Sequence, residues 1–386
     1  MSKVTIYTGG FFHLPIVTQA VKNSFSEVAL HSSYPGFYLK KRLHKTIDFH
    51  PHIAKEIASK LPNWCFSDRP YQLSQIFQNS IKESLRSLTS DLVIGWAGHT
   101  LSVAEVCALK QIPFLLERGS THIRWQRERL KVAYQNSGLP ENDAEVPSEK
   151  YVLAQEKEYE LANRIHVPTP LCLRSFEKYC SSDVLQKTRI TRYGFNFPSV
   201  KKKRKNLTRA DTVKFLFAGT LSVRKGFFDY CAISRKLSDM KASFTAIGRH
   251  DSDTKKIIEK FEPNILIKTS QSKEDLFKLY YQHDVLVICS YEEGLSMIIP
   301  EALSQGMVII GTSDSGVDEY ITNDVNGFIL NAGNIDEFLD VVFTLLKNPD
   351  VINKMRDNIK NNSMHSAFNN YINQYNSSIA ELMSFN

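Results

Sequence analysis

No apolar run in this chain approaches the roughly 20 residues needed to cross a bilayer. Its first residues, Met1-Ser2-Lys3-Val4-Thr5-Ile6-Tyr7, read as a strand and not as a signal peptide. The six cysteines (Cys65, Cys107, Cys172, Cys180, Cys231 and Cys289) have no paired short spacing. That argues against a zinc or disulfide framework and for buried thiols in a reducing cytoplasm. His44, His50 and His52 lack metal-ligand spacing, so no metal site is assigned. The dinucleotide fingerprint G-x-G-x-x-G is also missing after the first strand. Against these absences stand 386 residues, 42% apolar and 23% charged, which suit a folded protein of two domains. Lys and Arg outnumber Asp and Glu by 48 to 41, a net charge of +7. That excess favours an anionic partner without choosing among nucleotide diphosphate, anionic lipid and nucleic acid. The bases gather at Lys40-Lys41-Arg42 with His44 and Lys45, from Arg118 to Arg129, and at Lys201-Lys202-Lys203-Arg204-Lys205.

Strand and helix patterns alternate along the chain, which predicts an α/β fold with doubly wound parallel sheets. Val4 to Tyr7 is followed by Gly9-Gly10, where the backbone can approach a ligand closely or simply turn. Residues 28–90 carry weak periodicity, with helical patches at Ile53 to Leu61 and Leu73 to Leu88. Further strands are expected at Asp91 to Ile94, Pro113 to Glu117, Arg164 to Pro168 and Arg189 to Tyr193. The loop Glu117-Arg118-Gly119-Ser120-Thr121-His122 closes one of these at a strand end where open α/β sheets bind ligands. Ser148 caps a helix reaching Asn163. The charged stretch Lys201 to Arg209 has no periodicity and reads as an interdomain linker. A second set of strands follows at Val213 to Gly219, Ser243 to Gly248 and Ile265 to Ile267. The closing helix shows Phe368, Tyr371, Ile372, Tyr375, Ile379 and Leu382 at the spacing of a packed face.

The chemistry concentrates around Ser290 to Gly306. Asp284 to Cys289 is a short apolar run of the kind buried in a parallel sheet. Met307 to Ile310 is another, and the segment between them makes one βαβ unit. Ser296 is placed as the helix N-cap, and Pro300 falls in the first turn, where proline is tolerated. Helix amides then face Glu293-Gly294-Leu295, a seat for phosphate. Two carboxylates, Glu293 and Glu301, flank that seat, so the fitting ligand carries hydroxyls as well as phosphate, as a nucleotide sugar does. Arg224-Lys225-Gly226 lies between a strand and a helix and offers a planar fork and a compact cation for a diphosphate. Asp251-Ser252-Asp253 could hold a divalent ion, but capping of the following helix is the simpler reading.

These residues resemble retaining glycosyltransferases of family 4 (glycosyl transferases group 1), which have the GT-B fold. Glu293 to Glu301-Ala302-Leu303 fits that family's E-x7-E followed by A-[LM]. Arg224-Lys225-Gly226 after Gly219 looks like its diphosphate-clamping loop, and Tyr320-Ile321 to Asn326-Gly327-Phe328 resembles its closing segment. The likeness is strong over residues 213–330 and weak over 20–90. It implies two Rossmann-like domains facing each other across a cleft. Residues 1–197 would bind the acceptor, with the last helix, about 366–386, packing back on them; residues 198–365 would bind the donor. Glu293 would bond donor-sugar hydroxyls near the reacting centre, and Glu301 the ribose. Amides of Gly294, Leu295 and Ser296 would hold sugar and phosphate. Arg224 and Lys225 would neutralise the leaving diphosphate without a metal, beside Gly219, while Gly9 and Gly10 shape a first loop that closes over it. His122 or Arg118 would take the place of a histidine beside the donor sugar. Where many members have arginine after the glycine, this chain has Thr220, and Arg224 substitutes for it.

The activity so implied is transfer with retention from a UDP-sugar to a saccharide or lipid-linked saccharide. A setting in bacterial surface polysaccharide, lipopolysaccharide or capsule synthesis is expected. The protein would be cytoplasmic and peripheral on the inner membrane face through anionic lipid, with no nucleic acid partner. The competing expectations are a same-fold nucleotide-sugar epimerase or hydrolase, and a non-catalytic nucleotide-sugar-binding protein.

Overall fold

Strand pairing among the described residues is parallel throughout the two sheets, as near-continuous apolar strands require when helices cover both faces. The computed structural model describes residues 2–194, 204–269, 272–360 and 367–384. The chain divides into two units, one of Met1–Arg127, Asn142–Gly194 and Ala367–Asn386, the other of Glu128–Glu141 and Phe195–Ser366. The first holds strands β1 (Lys3–Thr8), β2 (Glu27–Ser32), β3 (Asp48–Pro51), β4 (Leu92–Trp96), β5 (Phe114–Glu117), β6 (Arg164–Val167) and β7 (Thr188–Ile190). Their order in space is β3-β2-β1-β4-β5-β6-β7. The second holds β8 (Val213–Ala218), β9 (Ala242–Gly248), β10 (Leu266–Thr269), β11 (Val285–Ile288), β12 (Val308–Thr312) and β13 (Gly327–Leu330), ordered β10-β9-β8-β11-β12-β13. Each sheet reverses its strand order once, between β1 and β4 and between β8 and β11. The doubly wound α/β expectation therefore holds twice.

Sequence reasoning passed over β2 and β3, which carry polar residues at interior positions. His31 and Ser32 are buried although their residue types predict a surface. The expected helix Leu73 to Leu88 is broken at Ile81 into Arg69–Ser80 and Lys82–Arg86. Ser148 caps its helix as expected, accepting from the Tyr151 amide at 3.1 Å. A larger surprise is the helix Ile123–Ser137, whose second half packs in the other unit, whereas residues 1–197 were expected to form one domain. Tyr134 donates to Asp253 at 2.9 Å and Arg129 pairs with Asp314 at 2.8 Å.

The linker expectation needs correction at its described end. Arg204 is not a flexible surface base. Its Nε donates to the Gln305 carbonyl at 2.7 Å, Nη1 to His283 at 2.6 Å and Nη2 to Tyr280 at 2.5 Å. These carbonyls stand at the ends of the helices Lys273–Gln282 and Ile298–Ser304, where unpaired acceptors and the negative helix pole both attract a cation. Leu207 is held as well, by paired bonds to Asn353. Lys201, Lys202 and Lys203 lie outside the described residues, as does the side chain of Phe368.

The closing helix, Ala367–Ser384, belongs to the first unit and is tied to its sheet through the buried Glu117. Tyr375 donates to Glu117 Oε1 at 2.8 Å, His13 Nε2 meets Oε2 at 2.8 Å and His166 Nδ1 meets Oε1 at 3.2 Å. Burial pushes this carboxyl up, but the hydrogen bonds from His13 and His166 outweigh it and bring it down to about 2. A folded value below the unfolded one stabilises above the ordinary carboxylate range. That stabilisation is lost as pH falls from about 4.5 towards 2 and amounts to about 3 kcal/mol. Glu117→Gln should therefore flatten the acid limb of a melting-temperature-against-pH curve; an unchanged limb would show that the network is not coupled to folding.

Candidate active site in the second unit

At the reversal between β8 and β11 the connections leave towards opposite flanks of the sheet, which opens a crevice at the strands' carboxyl ends. Two loops rise there, Gly219 to Gly226 after β8 and Cys289 to Met297 after β11. They are joined by a bond from the Tyr291 amide to the Arg224 carbonyl at 2.9 Å. Gly226, at φ +65°, leaves no room for a side chain: a Cβ would lie 2.1 Å from the Cys289 carbonyl oxygen. Gly219, at φ +129°, has the opposite surroundings, with nothing within 4 Å of a Cβ. Its backbone borders open space where a ligand can come close. Thr220, the next residue, lends its carbonyl to the Ser222 amide at 2.9 Å and so tightens the turn.

The charges are arranged as two interlocked pairs. Lys225 Nζ contacts Glu293 Oε1, and Ser290 donates to Glu293 Oε2 at 3.2 Å. Arg224 Nη2 and Nε reach Glu292 Oε2 at 3.0 and 3.1 Å, and Nε also reaches the Glu292 carbonyl at 3.1 Å. Burial, with the neighbouring Arg224 charge, brings the Lys225 ammonium down to about 7. The amides of Leu295 and Ser296 have no hydrogen-bond partner among the described residues. They enter the short helix Ile298–Ser304 as donors available to an anion. The cap, however, is not Ser296. Met297, which has no capping oxygen, holds that position; with Ser296 as cap, Pro300 would fall at the fourth helical position, where the first intrahelical bond needs the amide hydrogen that proline lacks. Glu301, in the first turn, accepts from Tyr280 at 3.1 Å and faces Lys273 at 3.8 Å. Burial raises its carboxyl above the ordinary value.

Residues 199–365 match the family described as Glycosyl transferases group 1. This segment belongs to that family. Among curated relatives, the lipopolysaccharide 1,2-N-acetylglucosaminetransferase of Salmonella typhimurium is 20% identical over 208 residues, 50% of this chain and 50% of that protein. The chain spans half or less of the length of the curated relatives it matches. Sucrose-phosphate synthase from Thermosynechococcus elongatus superposes with a TM-score of 0.76 at 14% identity, covering 100% of both chains. HepE of Anabaena, solved with UDP-glucose, gives 0.63 at 13% identity, again over 100% of both chains. The fold is thus GT-B-like, with Rossmann-like units built on sheets of seven and six strands.

Glu292 and Asp314, within the group 1 domain, and Arg129, outside it, were not foreseen as site residues. The Glu293 amide donates to the Asp314 carbonyl at 2.9 Å while Arg129 holds the Asp314 carboxylate. Arg129 could have been found from Ile123, Leu130, Ala133, Tyr134 and Ser137, which recur at helical spacing in the sequence. The Asp251-Ser252-Asp253 run acts largely as expected. Asp251 Oδ1 accepts from the Asp253 and Thr254 amides at 3.0 and 2.9 Å, so the helix Thr254–Phe261 has Asp253 at its cap position but takes its side-chain bonds from Asp251, two residues earlier.

Outside the group 1 domain, Thr8 Oγ1 bonds the amide and carbonyl of Gly10, and Ser33 Oγ donates to the Gly9 carbonyl, fixing the loop after β1. Arg118 and His122 turn inward. Arg118 donates to the Thr121 carbonyl, to Gln155 at 3.1 Å and to Gln126 at 2.8 Å. His122 is fully buried, stacked on Tyr179 with Phe176 at its edge. Burial, then the charges of Arg118 and Arg124, bring it down to about 3 and keep it neutral. Both side chains brace the loop from inside. His13, at the start of the helix Leu14–Val21, has its Nε2 bonded to Glu117 and no partner for Nδ1 among the described residues; His99 Nδ1 and His122 Nε2, both buried, also have none.

Proposed function

We propose that this protein is a retaining glycosyltransferase that moves a sugar from a UDP-sugar to a saccharide or lipid-linked saccharide acceptor. The observation that carries this reading is the contact of Lys225 with Glu293, set beside Arg224 and the unpaired Leu295 and Ser296 amides at the β8–β11 reversal. A cation brought to about 7 by burial and a neighbouring charge regains its proton when a diphosphate arrives. Lys225, Arg224 and the amides neutralise the leaving group without needing a metal. Glu293, released from Lys225, accepts from donor-sugar hydroxyls, and Glu301 accepts from the ribose. The bond between the anomeric carbon and the phosphate oxygen breaks with its electron pair going to UDP. The acceptor oxygen bonds the same face of that carbon, and its proton passes to the departing phosphate oxygen. We assign acceptor recognition to the first unit, with His13 Nδ1 as an atom that binds an acceptor hydroxyl. HepE bound to UDP-glucose supports the donor class, and the Salmonella relative, named for lipopolysaccharide, supports a surface-polysaccharide setting; we place the protein peripherally on the inner membrane face on the strength of the exposed basic cluster Lys40 to Lys45.

UDP should raise the melting temperature by mass action, and one or more UDP-sugars should release UDP faster when a saccharide acceptor is added. No stabilisation by any nucleoside diphosphate would sink the reading. Because the ligand favours protonated Lys225, binding at about pH 8 should take up a proton, with affinity falling up to tenfold per unit above about pH 7. Calorimetry in two buffers of different ionisation enthalpy measures this uptake; identical heats would show that Lys225 is already charged.

A further inference from the structure

One of the three basic clusters in the sequence, Arg118 to Arg129, is consumed by the fold. Arg124 pairs with Glu156 and Glu149, Arg127 with Glu149, Arg129 with Asp314, and Arg118 is buried. In the third, the described Arg204 caps helix ends. The remaining cluster, Lys40, Lys41, Arg42, His44 and Lys45, stays exposed at the end of the helix Gly36–Arg42. The same part of the first unit exposes large apolar side chains: Phe37 is 78% exposed, Ile53 44%, Ile57 60%, Leu61 48% and Trp64 84%. Ile53, Ile57 and Leu61 recur every four residues along the helix Ala54–Ala58 and the turns that prolong it, forming one ridge. Trp64 follows in the turn Asn63–Cys65. Phe37 stands on the helix Gly36–Arg42, which packs beside β3, the strand that leads into this ridge.

This surface is braced and not loose. Arg69 donates to the Leu61 carbonyl at 2.8 Å and also holds the Ser59 carbonyl. The acids between Pro35 and Arg69 are engaged: Asp48 with His50, Glu56 with Ser33 and Lys55, Asp68 with the Tyr71 amide. Apolar and aromatic side chains held outward among unopposed lysines match the interface of an anionic bilayer, where rings sit at headgroup level and ammonium groups meet phosphates. No helix among the described residues is long and apolar enough to cross a membrane, so such an attachment lies on the surface.

We infer that the face formed by Phe37, Ile53, Ile57, Leu61 and Trp64 with Lys40, Lys41 and Arg42 docks the first unit on an anionic lipid bilayer. It gives a location to the peripheral attachment proposed above and uses none of the donor-site residues. The test is sedimentation of the full chain with phosphatidylcholine vesicles, with and without phosphatidylglycerol. Binding should require phosphatidylglycerol and weaken with salt. The triple change of Lys40, Lys41 and Arg42 to glutamine should lower it roughly a hundredfold, at about a fivefold loss per charge. The variants Phe37→Ser, Ile57→Ser and Trp64→Ser should each weaken it, and quenching by bromine-labelled lipid should disappear in Trp64→Phe. All should keep the melting temperature and the UDP-induced stabilisation of the parent, which separates failure here from failure of the donor site. Absence of binding at low salt, binding unchanged in the serine variants, or a dimer that buries this face would each overturn the inference.

Discussion

Lys225→Ala is expected to lower kcat for sugar transfer by about a hundred- to a thousandfold, the range for removing one preorganised group that stabilises charge in a transition state. The ammonium stands between Glu293 and the loop that carries Arg224, so its loss leaves Arg224 and two backbone amides to hold the developing diphosphate charge. Glu293→Gln should be comparably damaging for a different reason. It removes the acceptor for donor hydroxyls and loosens Lys225, whereas the Ser290 hydroxyl and the bond from its own amide to the Asp314 carbonyl keep the loop in place. Both proteins should therefore fold, with melting temperatures near the parent's. Near-normal turnover in either purified variant would remove the site from this crevice. If UDP binding were lost in both while the fold stayed intact, Glu293 would be a phosphate-loop brace and not a sugar-binding residue.

Arg204→Ala is expected to destabilise the second unit by about 3 kcal/mol or more. It strips charge-assisted bonds from three helix-end carbonyls at once. For a unit of this size that corresponds to a fall of roughly 6–12 °C in the calorimetric transition. Arg204→Lys should recover only part of it, because a point cation cannot reach three carbonyls in a fork. One of the helices it caps, Ile298–Ser304, presents Glu301, so the same substitution should weaken UDP binding before the unit melts. A shift below about 2 °C would restore the reading of this stretch as a solvated linker.

That error shows where legibility ended. Lys201 to Arg209 has linker composition, and nothing local distinguishes an arginine in water from one seated on two helix termini. The partners lie 76 to 101 residues away in sequence. Arg118 and His122 failed in the same way. Their loop ends a strand at the functional edge of a sheet, but the direction of each side chain is set by Gln155, Ser175 and Tyr179, contributed by later helices. Ser296 missed the cap through one local detail, a proline three residues beyond the true cap position.

What the sequence determined alone is the material with a local cause. Continuous apolar runs such as Val285 to Ile288 can be satisfied only in a sheet covered on both faces. Glycines at strand ends mark where backbone approaches backbone or ligand, and Glu293 with Glu301 at their spacing frame the turn between β11 and its helix. What tertiary structure decided is everything that depends on distant partners. The two switch points arise only from strand order. The pairing of Lys225 with Glu293 follows because β8 and β11, far apart in the chain, lie side by side in the sheet. The assignment of residues 128–141 to the second unit rests on Arg129 and Tyr134 finding Asp314 and Asp253. Burial energy and charge pairing act on neighbours in space, and a linear pattern shows only those neighbours that recur within a helix or strand period.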